Sequence, residues 1–299
     1  MSVKRFFCLL LLLCLFPCVA HGDGNVINLI ENPDAVYSFS PDVPLLEVVF
    51  PRVHSSDCAV IRFGDEVMMI DASTAGERMH KRIKSALEAM EVTRIDTAFN
   101  THPHNDHIDG FPVVYEHTPF DRFIITFPED YNRHMSAAVA YAKEKGVPVE
   151  YAANNDVLTF GSRGEVALHV IQRDGPQWTD NDRSAMLKIV YGERSILFTG
   201  DIENRAQADY AANPPDIGLD VDILKYPHHG IARLNTDLLE LISPEITLIN
   251  GGSDSGKNGR DFMKKKGYPF LIGYKGLTRM RTDGHIWVID YLDEIVTDR

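Results

Sequence analysis

Three histidines and an aspartate fall within six consecutive positions of this 299-residue chain, at His102, His104, Asp106 and His107. Neutral imidazole nitrogens and carboxylate oxygens are the atoms that bind zinc and related divalent metals. His102 and His104 point the same way on an extended backbone, whereas Asp106 and His107 need a turn to face a second ion. The spacing favours a pair of metal ions over a surface loop that happens to be rich in histidine.

Two later segments repeat the arrangement of an apolar strand followed by a metal-binding side chain. Asp201 follows a strand over 195–199 and a glycine, so it can lie between two cations; the alternative is a carboxylate that caps the next helix. His228 and His229 follow a strand that starts at residue 222. Asp71 ends the second strand of a predicted hairpin, and we expect it near the metals.

The elements that position these residues are typical of a layered α/β protein. A short buried strand over 94–100 delivers the histidine cluster at its carboxyl end, where such proteins usually place their ligands. Segment 76–89 has the apolar spacing of a helix that packs on a sheet, and segments 131–146 and 235–241 are predicted as further helices. Cys58, within an apolar strand, is expected to be a core residue.

Together the H-x-H-x-D-H, T-G-D and H-H-G segments resemble the metallo-β-lactamase fold superfamily. The resemblance implies a four-layer αββα sandwich, a single α/β domain over residues 45–293, with a dinuclear site at the edge between two sheets. The motifs are also similar to the hydrolase domain of competence (DNA-uptake channel) proteins and to secreted phosphorylcholine esterases. Because this fold hosts many reactions, the motifs predict fold and metal site better than substrate.

The resemblance also implies a role for each site residue. His102 and His104 would bind the first metal, Asp106 and His107 the second, and Asp201 would bridge both. The last ligand of the second metal would be His229, with His228 as the alternate or as a group that faces the substrate.

One part of the family pattern is absent. Many superfamily members have a third histidine for the first metal about twenty residues before the bridging aspartate, but segment 178–184 contains none. By register, Asp182 takes that place, with Asp180 and Asn181 beside it. The spacing of Asn181 and Ser184 is similar to that of the competence proteins, which also lack the third histidine. A weaker first metal site would follow.

The function expected from these features is a secreted, dinuclear metal-dependent hydrolase. Two divalent ions, zinc in the first place and manganese or iron otherwise, would activate water, with Asp106 or Asp201 orienting it. His228 would protonate the leaving group, a role for which His285 is a weaker candidate. The leading substrate is a phosphodiester: a nucleic acid, a nucleotide or a phosphoester of the cell envelope. The alternatives are a lactone, thioester or other carboxyl ester, and a metal-bound binding protein without catalysis.

Charge limits the choice of partner. The net charge of −13 at neutral pH argues against nonspecific binding of polyanions. Segment 257–281 is the exception, because it carries eight basic residues and one acid. It is either a contact surface for nucleic acid or a helix whose basic residues lie in its last turn before Gly267.

The first twenty residues have the pattern of a secretory signal peptide, with Lys4 and Arg5 before an apolar run and a small-residue cleavage site at Ala20. We therefore expect a secreted or periplasmic protein with an N-terminal extension over 21–44 and no membrane span in the mature chain. Lipid attachment at Cys18 is disfavoured because Phe16 and Pro17 precede it.

Overall fold

The computed structural model describes residues 26–29 and 37–292. In chain order its elements are β1 (Ile27–Leu29), β2 (Leu46–Phe50), β3 (Cys58–Phe63), β4 (Glu66–Ala72), α1 (Glu77–Ala89), β5 (Ile95–Phe99), α2 (Asn105–Ile108), α3 (Phe111–Tyr115), β6 (Phe120–Ile125), α4 (Arg133–Glu144), β7 (Val149–Tyr151), β8 (Val157–Phe160), β9 (Val166–Ile171), β10 (Met186–Tyr191), β11 (Arg194–Phe198), α5 (Asn204–Ala212), β12 (Ile223–Lys225), α6 (Thr236–Ile242), β13 (Ile246–Ile249), α7 (Lys257–Lys266), β14 (Phe270–Ile272), β15 (Leu277–Thr282) and β16 (Trp287–Leu292). Short 3₁₀ turns cover Pro227–Gly230 and Gly273–Lys275.

These strands form two sheets. The first sheet has the order β1-β16-β15-β2-β3-β4-β5-β6-β7, and the second has the order β14-β13-β12-β11-β10-β9-β8. Strands β4 to β7 run parallel to one another, as do β11 to β14. The segments that carry the predicted metal ligands follow β5, β11 and β12, so each begins at the carboxyl end of a strand in one of these parallel sets.

The sheets pack face to face and helices cover their outer faces. Along β2, Leu46, Val48 and Phe50 enter the core between the sheets, while Val49 faces the outer core that includes α1, α3 and α4. Helices α5, α6 and α7 cover the second sheet with their own apolar core. Because both faces of the central strands are buried, their sequences are apolar at most positions. The predicted four-layer αββα sandwich is confirmed.

The predicted helices occur within a few residues of their expected bounds. Segment 76–89 corresponds to α1, 131–146 to α4 and 235–241 to α6. Cys58 is buried, as expected. Helix α7 has three lysines in its last turn and ends at Gly267, which has left-handed backbone. This part of segment 257–281 is therefore a helix with basic residues in its last turn, as one of the two sequence interpretations predicted.

The predicted signal peptide, residues 1–20, lies outside the described residues. Strand β1 falls within the segment predicted as an N-terminal extension, and it pairs in parallel with β16. Part of this extension therefore belongs to the first sheet. Among residues 26–29 and 37–292, no helix has the length and apolar character needed to span a membrane.

Candidate metal centre

The histidine cluster is built by β5 and the short helix that follows it. His102 lies in the bend after β5, and His104 is the N-cap of α2. The turn of α2 then brings the His107 ring to 4.0 Å from the His102 ring, centroid to centroid. Sequence analysis predicted this turn but not that it would be helical.

The carboxylate of Asp201 is the centre of the site. Its Oδ2 lies 3.2 Å from Nε2 of His107 and 3.4 Å from Nε2 of His229. The Nε2 atoms of His228 and His102 lie 3.7 and 3.9 Å from the same oxygen. Asp201 is 1% exposed, so these imidazoles surround a carboxylate that water scarcely reaches.

Asp201 reaches this position because Gly200 permits a sharp backbone turn after β11. Gly200 has a φ of +51°, and a Cβ there would lie 2.7 Å from the Cβ of Ser184. The backbone N–H of Asp201 donates to Ser184 Oγ at 3.2 Å. A side chain at position 200 would be both strained and crowded, which explains the glycine before the aspartate.

Two further carboxylates hold the imidazoles through their second nitrogen. Asp71 Oδ2 lies 2.7 Å from Nδ1 of His107, and Asp57 Oδ1 lies 3.1 Å from Nδ1 of His229. In both histidines this leaves Nε2 to face Asp201. A carboxylate behind a histidine is the usual way to orient a metal-binding imidazole and to raise its basicity.

Asp71 lies beside the histidine cluster, as its position at the end of β4 predicted. The backbone N–H of Thr101 donates to Asp71 Oδ1 at 2.8 Å, and the Thr101 hydroxyl donates to Oδ2 at 2.7 Å. Burial raises the pKa of Asp71, and His107 and Thr101 only partly offset this effect. Asp71 therefore ties the end of β4 to the start of the histidine cluster.

Asp57 is a site residue that sequence analysis missed. It precedes β3 and belongs, with His107, Asp201 and His229, to a group whose candidate ligand atoms lie within 4.8 Å of one another. Lys225 Nζ lies 2.8 Å from Asp57 Oδ1, and Asn250 Nδ2 donates to the same oxygen at 2.5 Å. Burial raises the pKa of Asp57, but Lys225 and His229 outweigh it and leave the pKa far below its usual range. No local motif marks this residue.

The negative charges of the buried aspartates are compensated by protons bound to two of the histidines. Burial lowers the pKa of His107, but Asp201 and Asp71 outweigh this and hold it well above its usual range. Asp201 and Asp57 act on His229 in the same direction. Burial and the neighbouring His107 lower the pKa of His102, which is therefore neutral. Protons on His107 and His229 thus supply positive charge that a divalent cation can replace.

The orphaned polar atoms at the centre fit a metal. Within the described residues, Nε2 of His102, Nε2 of His107 and Oδ1 of Asp201 are buried without a hydrogen-bond partner. Each such atom costs about 1–3 kcal/mol when it has no partner. Imidazole nitrogens and a carboxylate oxygen form a donor set that suits zinc and similar ions. The donors present therefore fit divalent metal ions.

The H-H-G segment places its two histidines differently. Both have left-handed backbone, with φ values of 47° for His228 and 54° for His229. His229 is fully buried, and its Nε2 also lies 3.3 Å from Asp106 Oδ2. The side chain of His228 is 20% exposed, and its Nδ1 lies 3.1 Å from Glu203 Oε1. Strained backbone of this kind is typical of functional sites.

Asp182 accepts hydrogen bonds from residues that the other predicted ligands do not contact. Its Oδ2 accepts hydrogen bonds from the backbone and hydroxyl of Thr179, both at 3.2 Å, and its Oδ1 accepts from the backbone of Ala206 at 3.1 Å. Asp182 thus binds the first turn of α5. The carboxylate beside the histidine cluster is Asp180, whose Oδ2 lies 3.8 Å from Nε2 of His104.

The opening of the site is lined by partly exposed side chains. Side-chain exposure is 36% for His104, 27% for Asp106 and 34% for Glu203. His285 lies elsewhere, in the turn between β15 and β16, with a side chain that is 76% exposed and 4.0 Å from Glu193. His228, rather than His285, is therefore the histidine that a substrate can reach beside Asp201.

A family model described as the metallo-beta-lactamase superfamily matches residues 51–249 of this chain. The matched part is about two thirds of the sequence and includes the histidine cluster, Asp201 and the H-H-G segment. The protein therefore belongs to the metallo-beta-lactamase superfamily. Members of this superfamily are mostly metal-dependent hydrolases, and the cluster of histidine and aspartate described above agrees with that class.

Among curated proteins, the chain is similar to ComE operon protein 3 of Bacillus subtilis (strain 168). The two are 25% identical over 204 residues, which is 66% of this chain and 24% of that protein. The chain thus spans about a quarter of the length of this relative. The similarity agrees with the resemblance to competence proteins noted from the motifs.

Solved structures with a similar fold include the metallo-beta-lactamase fold protein YhfI from Bacillus subtilis. It is 11% identical, with a TM-score of 0.49, and the match covers 76% of this chain and 96% of that one. A protein from Parabacteroides distasonis ATCC 8503 described as a metal-dependent hydrolase is 14% identical, with a TM-score of 0.48. That match covers 77% of this chain and 94% of the other.

Proposed function

We propose that the protein is a phosphodiesterase that works with two divalent cations, zinc in the first place and manganese or iron otherwise. The observation that carries this proposal is the convergence of four histidine Nε2 atoms on one buried oxygen of Asp201, within 3.9 Å. The residues that would hold one cation are His102, His104 and Asp201. Those that would hold the other are Asp106, His107, His229 and Asp201.

The protein's own groups have distinct tasks in hydrolysis. Two bound cations would lower the pKa of water and stabilise the charge that develops on a phosphoryl oxygen. Asp106 and Asp201 present carboxylate oxygens that can accept a hydrogen bond from the attacking water and so orient it. Asp57 and Asp71 keep the rings of His229 and His107 in place through their Nδ1 atoms.

We infer that His228 gives a proton to the leaving oxygen. Its Nε2 lies 3.7 Å from Asp201 Oδ2, and its Nδ1 lies 3.1 Å from Glu203 Oε1. The ring is partly exposed, so it can regain a proton from water after each turnover. An alkoxide is a poor leaving group, and general acids of this kind contribute about 10²–10⁴ in rate.

The charge of the loaded site favours a phosphodiester. Asp106 and Asp201 would compensate two of the four positive charges of two divalent cations. Asp71 would compensate a third, because its partner His107 loses its proton when it binds a cation, whereas Asp57 is already compensated by Lys225 at 2.8 Å. The remaining positive charge suits a monoanionic phosphodiester.

The basic segment 257–281 favours a small substrate over a nucleic acid polymer. Arg279 and Arg281 both bind Asp290, at 2.5 and 2.9 Å. Lys257 pairs with Asp261 at 2.6 Å, and Arg260 donates to backbone carbonyls of the preceding loop. Half of the basic residues in this segment are thus engaged within the protein. These four residues lie on two elements in different layers, helix α7 and strand β15. A nucleic acid contact through the remaining lysines is the second choice.

A lactone, thioester or other carboxyl ester is the second candidate substrate. The observation that favours it is that half of the basic residues in this segment are engaged within the protein, in a chain of net charge −13, which weakens the attraction of a polyanion outside the metal centre. Such substrates need no anion binding beyond the metal centre itself. Direct comparison of the two ester classes decides between them.

The test is turnover of bis(p-nitrophenyl) phosphate and p-nitrophenyl acetate by protein loaded with zinc or manganese. We expect the phosphodiester to be cleaved, and we expect this activity to be lost in Asp201→Asn and His229→Ala. His285→Ala, a histidine in an exposed turn, is the matched control and should retain full activity. Cleavage of the acetate alone would overturn the phosphodiesterase proposal in favour of the second candidate.

For localisation we propose export, on the basis of the signal-like pattern in residues 1–20. That segment lies outside the described residues. Expression of the full chain in a bacterial host, followed by amino-terminal sequencing of the periplasmic product, tests the proposal. A protein found in the cytoplasm with Met1 retained would contradict it.

A further inference from the structure

A second concave feature lies beside the metal centre. It is a cavity of about 390 Å³, lined by side chains that include Tyr131, Tyr151, Asn154 and Gln172. Cavities of about 300–1,000 Å³ are typical of sites for small organic ligands. None of these residues has a role in the metal site, so the cavity needs a separate explanation.

The cavity is next to the metal centre because of the parallel strand order. Thr126 and Phe127 follow β6 and Tyr151 ends β7, whereas the histidine cluster follows β5. Since β5, β6 and β7 are adjacent and parallel, their carboxyl ends lie side by side. The Thr126 hydroxyl donates to the carbonyl of Thr101 at 2.8 Å, immediately before His102.

Tyr131 and Asp180 connect the two sites. The Tyr131 hydroxyl donates to Asp180 Oδ1, and Asp180 Oδ2 lies 3.8 Å from Nε2 of His104. Tyr131 also packs edge to face against Phe127, with ring centroids 4.9 Å apart. One side chain, Asp180, therefore separates the cavity wall at Tyr131 from His104.

The charges that line the cavity are already paired. Arg183 binds Asp174 at 2.7 Å, and Arg173 binds Asp209 at 3.0 Å. A second phosphate would have to compete with these carboxylates for the guanidinium groups. The cavity therefore favours an uncharged part of a ligand.

The polar groups and rings define what kind of uncharged group fits. Gln172 Nε2 donates to the carbonyls of Thr126 and Arg183, so Gln172 Oε1 is its acceptor for a ligand. Asn154 Oδ1 accepts from the backbone of Gln172, so its amide nitrogen is its donor for a ligand. One donor and one acceptor complement a cis-amide edge. Tyr151, 60% exposed at the end of β7, offers a ring face on which a planar group can stack.

We propose that this cavity binds the organic group attached to the phosphate, and that this group is an uncharged planar heterocycle with a cis-amide edge. The proposal rests on the proposed function and names its substrate class: a phosphodiester of a heterocyclic nucleoside. Tyr151 is the stacking residue, and Asn154 and Gln172 bind the edge of the heterocycle.

Two chromogenic esters that share one leaving group test the proposal in turnover. Thymidine 5′-(p-nitrophenyl phosphate) carries a heterocycle, and methyl p-nitrophenyl phosphate does not. We expect a kcat/KM ratio of about tenfold or more in favour of the thymidine ester, since stacking of a base on an aromatic ring and its hydrogen bonds contribute on this scale. Tyr151→Ala should bring the ratio close to one without changing turnover of the methyl ester. Tyr291→Ala, a tyrosine on the distant strand β16 that is 46% exposed, is the matched control.

Direct binding of thymidine decides the proposal independently of catalysis. Saturation-transfer NMR with thymidine should show binding that Tyr151→Ala abolishes, and 3-methylthymidine, which lacks the N–H of the amide edge, should bind at least about fivefold more weakly. If thymidine binds but neither ester is cleaved, the proposed function fails and the subsite stands. If both esters are cleaved with a ratio near one and thymidine does not bind, the subsite is overturned and the proposed function stands.

Discussion

Replacing Asp57 with asparagine separates two effects of one buried carboxylate. Asp57 pairs with Lys225, which is 3% exposed, and accepts from Nδ1 of His229. Removing its charge leaves Lys225 as a buried ammonium without compensation, for which about 3–5 kcal/mol of lost stability is typical. It also removes the group that orients His229, which costs about 10–100-fold in metal affinity.

A second substitution distinguishes these effects. In the double variant Asp57→Asn with Lys225→Met, no buried charge remains, so most of the lost stability should return. The metal affinity should not return, because His229 still lacks its carboxylate. Asp65→Asn, in an exposed hairpin turn, is the matched control and should change neither property.

The assays are urea unfolding of the metal-free proteins and competitive zinc titration with a chromogenic chelator. A loss below about 1 kcal/mol in Asp57→Asn would show that the ion pair is not buried in the way described. An unchanged zinc affinity would show that Asp57 does not position His229. Recovery of zinc affinity in the double variant would refute the reasoning, since it would assign the loss to Lys225 alone.

Three further predictions concern protons, catalysis and the cysteine. Because the pKa values of His107 and His229 are raised, both rings are protonated at neutral pH without metal, and cation binding should release protons and strengthen as pH rises. Calorimetry in buffers of different ionisation enthalpy measures this proton release. A binding enthalpy that does not depend on the buffer would contradict the prediction. His228→Ala should lower kcat for a dialkyl phosphodiester, whose leaving group is an alkoxide, by about 10²–10⁴. Zinc affinity and kcat for bis(p-nitrophenyl) phosphate, whose nitrophenolate leaves without a proton, should change little. A matching loss of zinc affinity would make His228 a ligand instead. Burial, Asp71 and Asp57 raise the pKa of the Cys58 thiol, so a thiol reagent such as Ellman's should label Cys58 only after denaturation. Rapid labelling of the native protein would show that strand β3 opens.

The main elements of the fold are visible in local sequence because each depends on the pattern of a few neighbouring residues. The apolar residues of β5 predict a buried strand, and the spacing of Ile83 and Leu87 predicts the buried face of α1. The three strand ends that carry Asp201 and the histidines were found in the same way. These features need no knowledge of distant parts of the chain.

The rest of the site depends on contacts between distant segments. Asp57 and Lys225 are 168 positions apart, and nothing in the residues around Asp57 indicates a partner in another sheet. Asp180 and Asp182 show a second reason why sequence alone is insufficient. The count of residues before Asp201 favoured Asp182 as the replacement for the missing histidine. The chain turns between Thr179 and Asp182, so that Asp182 binds the start of α5 and Asp180 approaches His104. Such a turn depends on its tertiary partners rather than on spacing.

The ends of the two sheets bear on how this protein behaves at high concentration. The outermost strands among the described residues are β1 and β7 in the first sheet and β14 and β8 in the second, and none exceeds four residues. A long, flat edge strand offers a row of unpaired N–H and C=O groups on which another chain can add. Edges this short leave room for only a few such hydrogen bonds. With the acidic surface of a chain of net charge −13, they should keep the sandwich from joining its neighbours edge to edge.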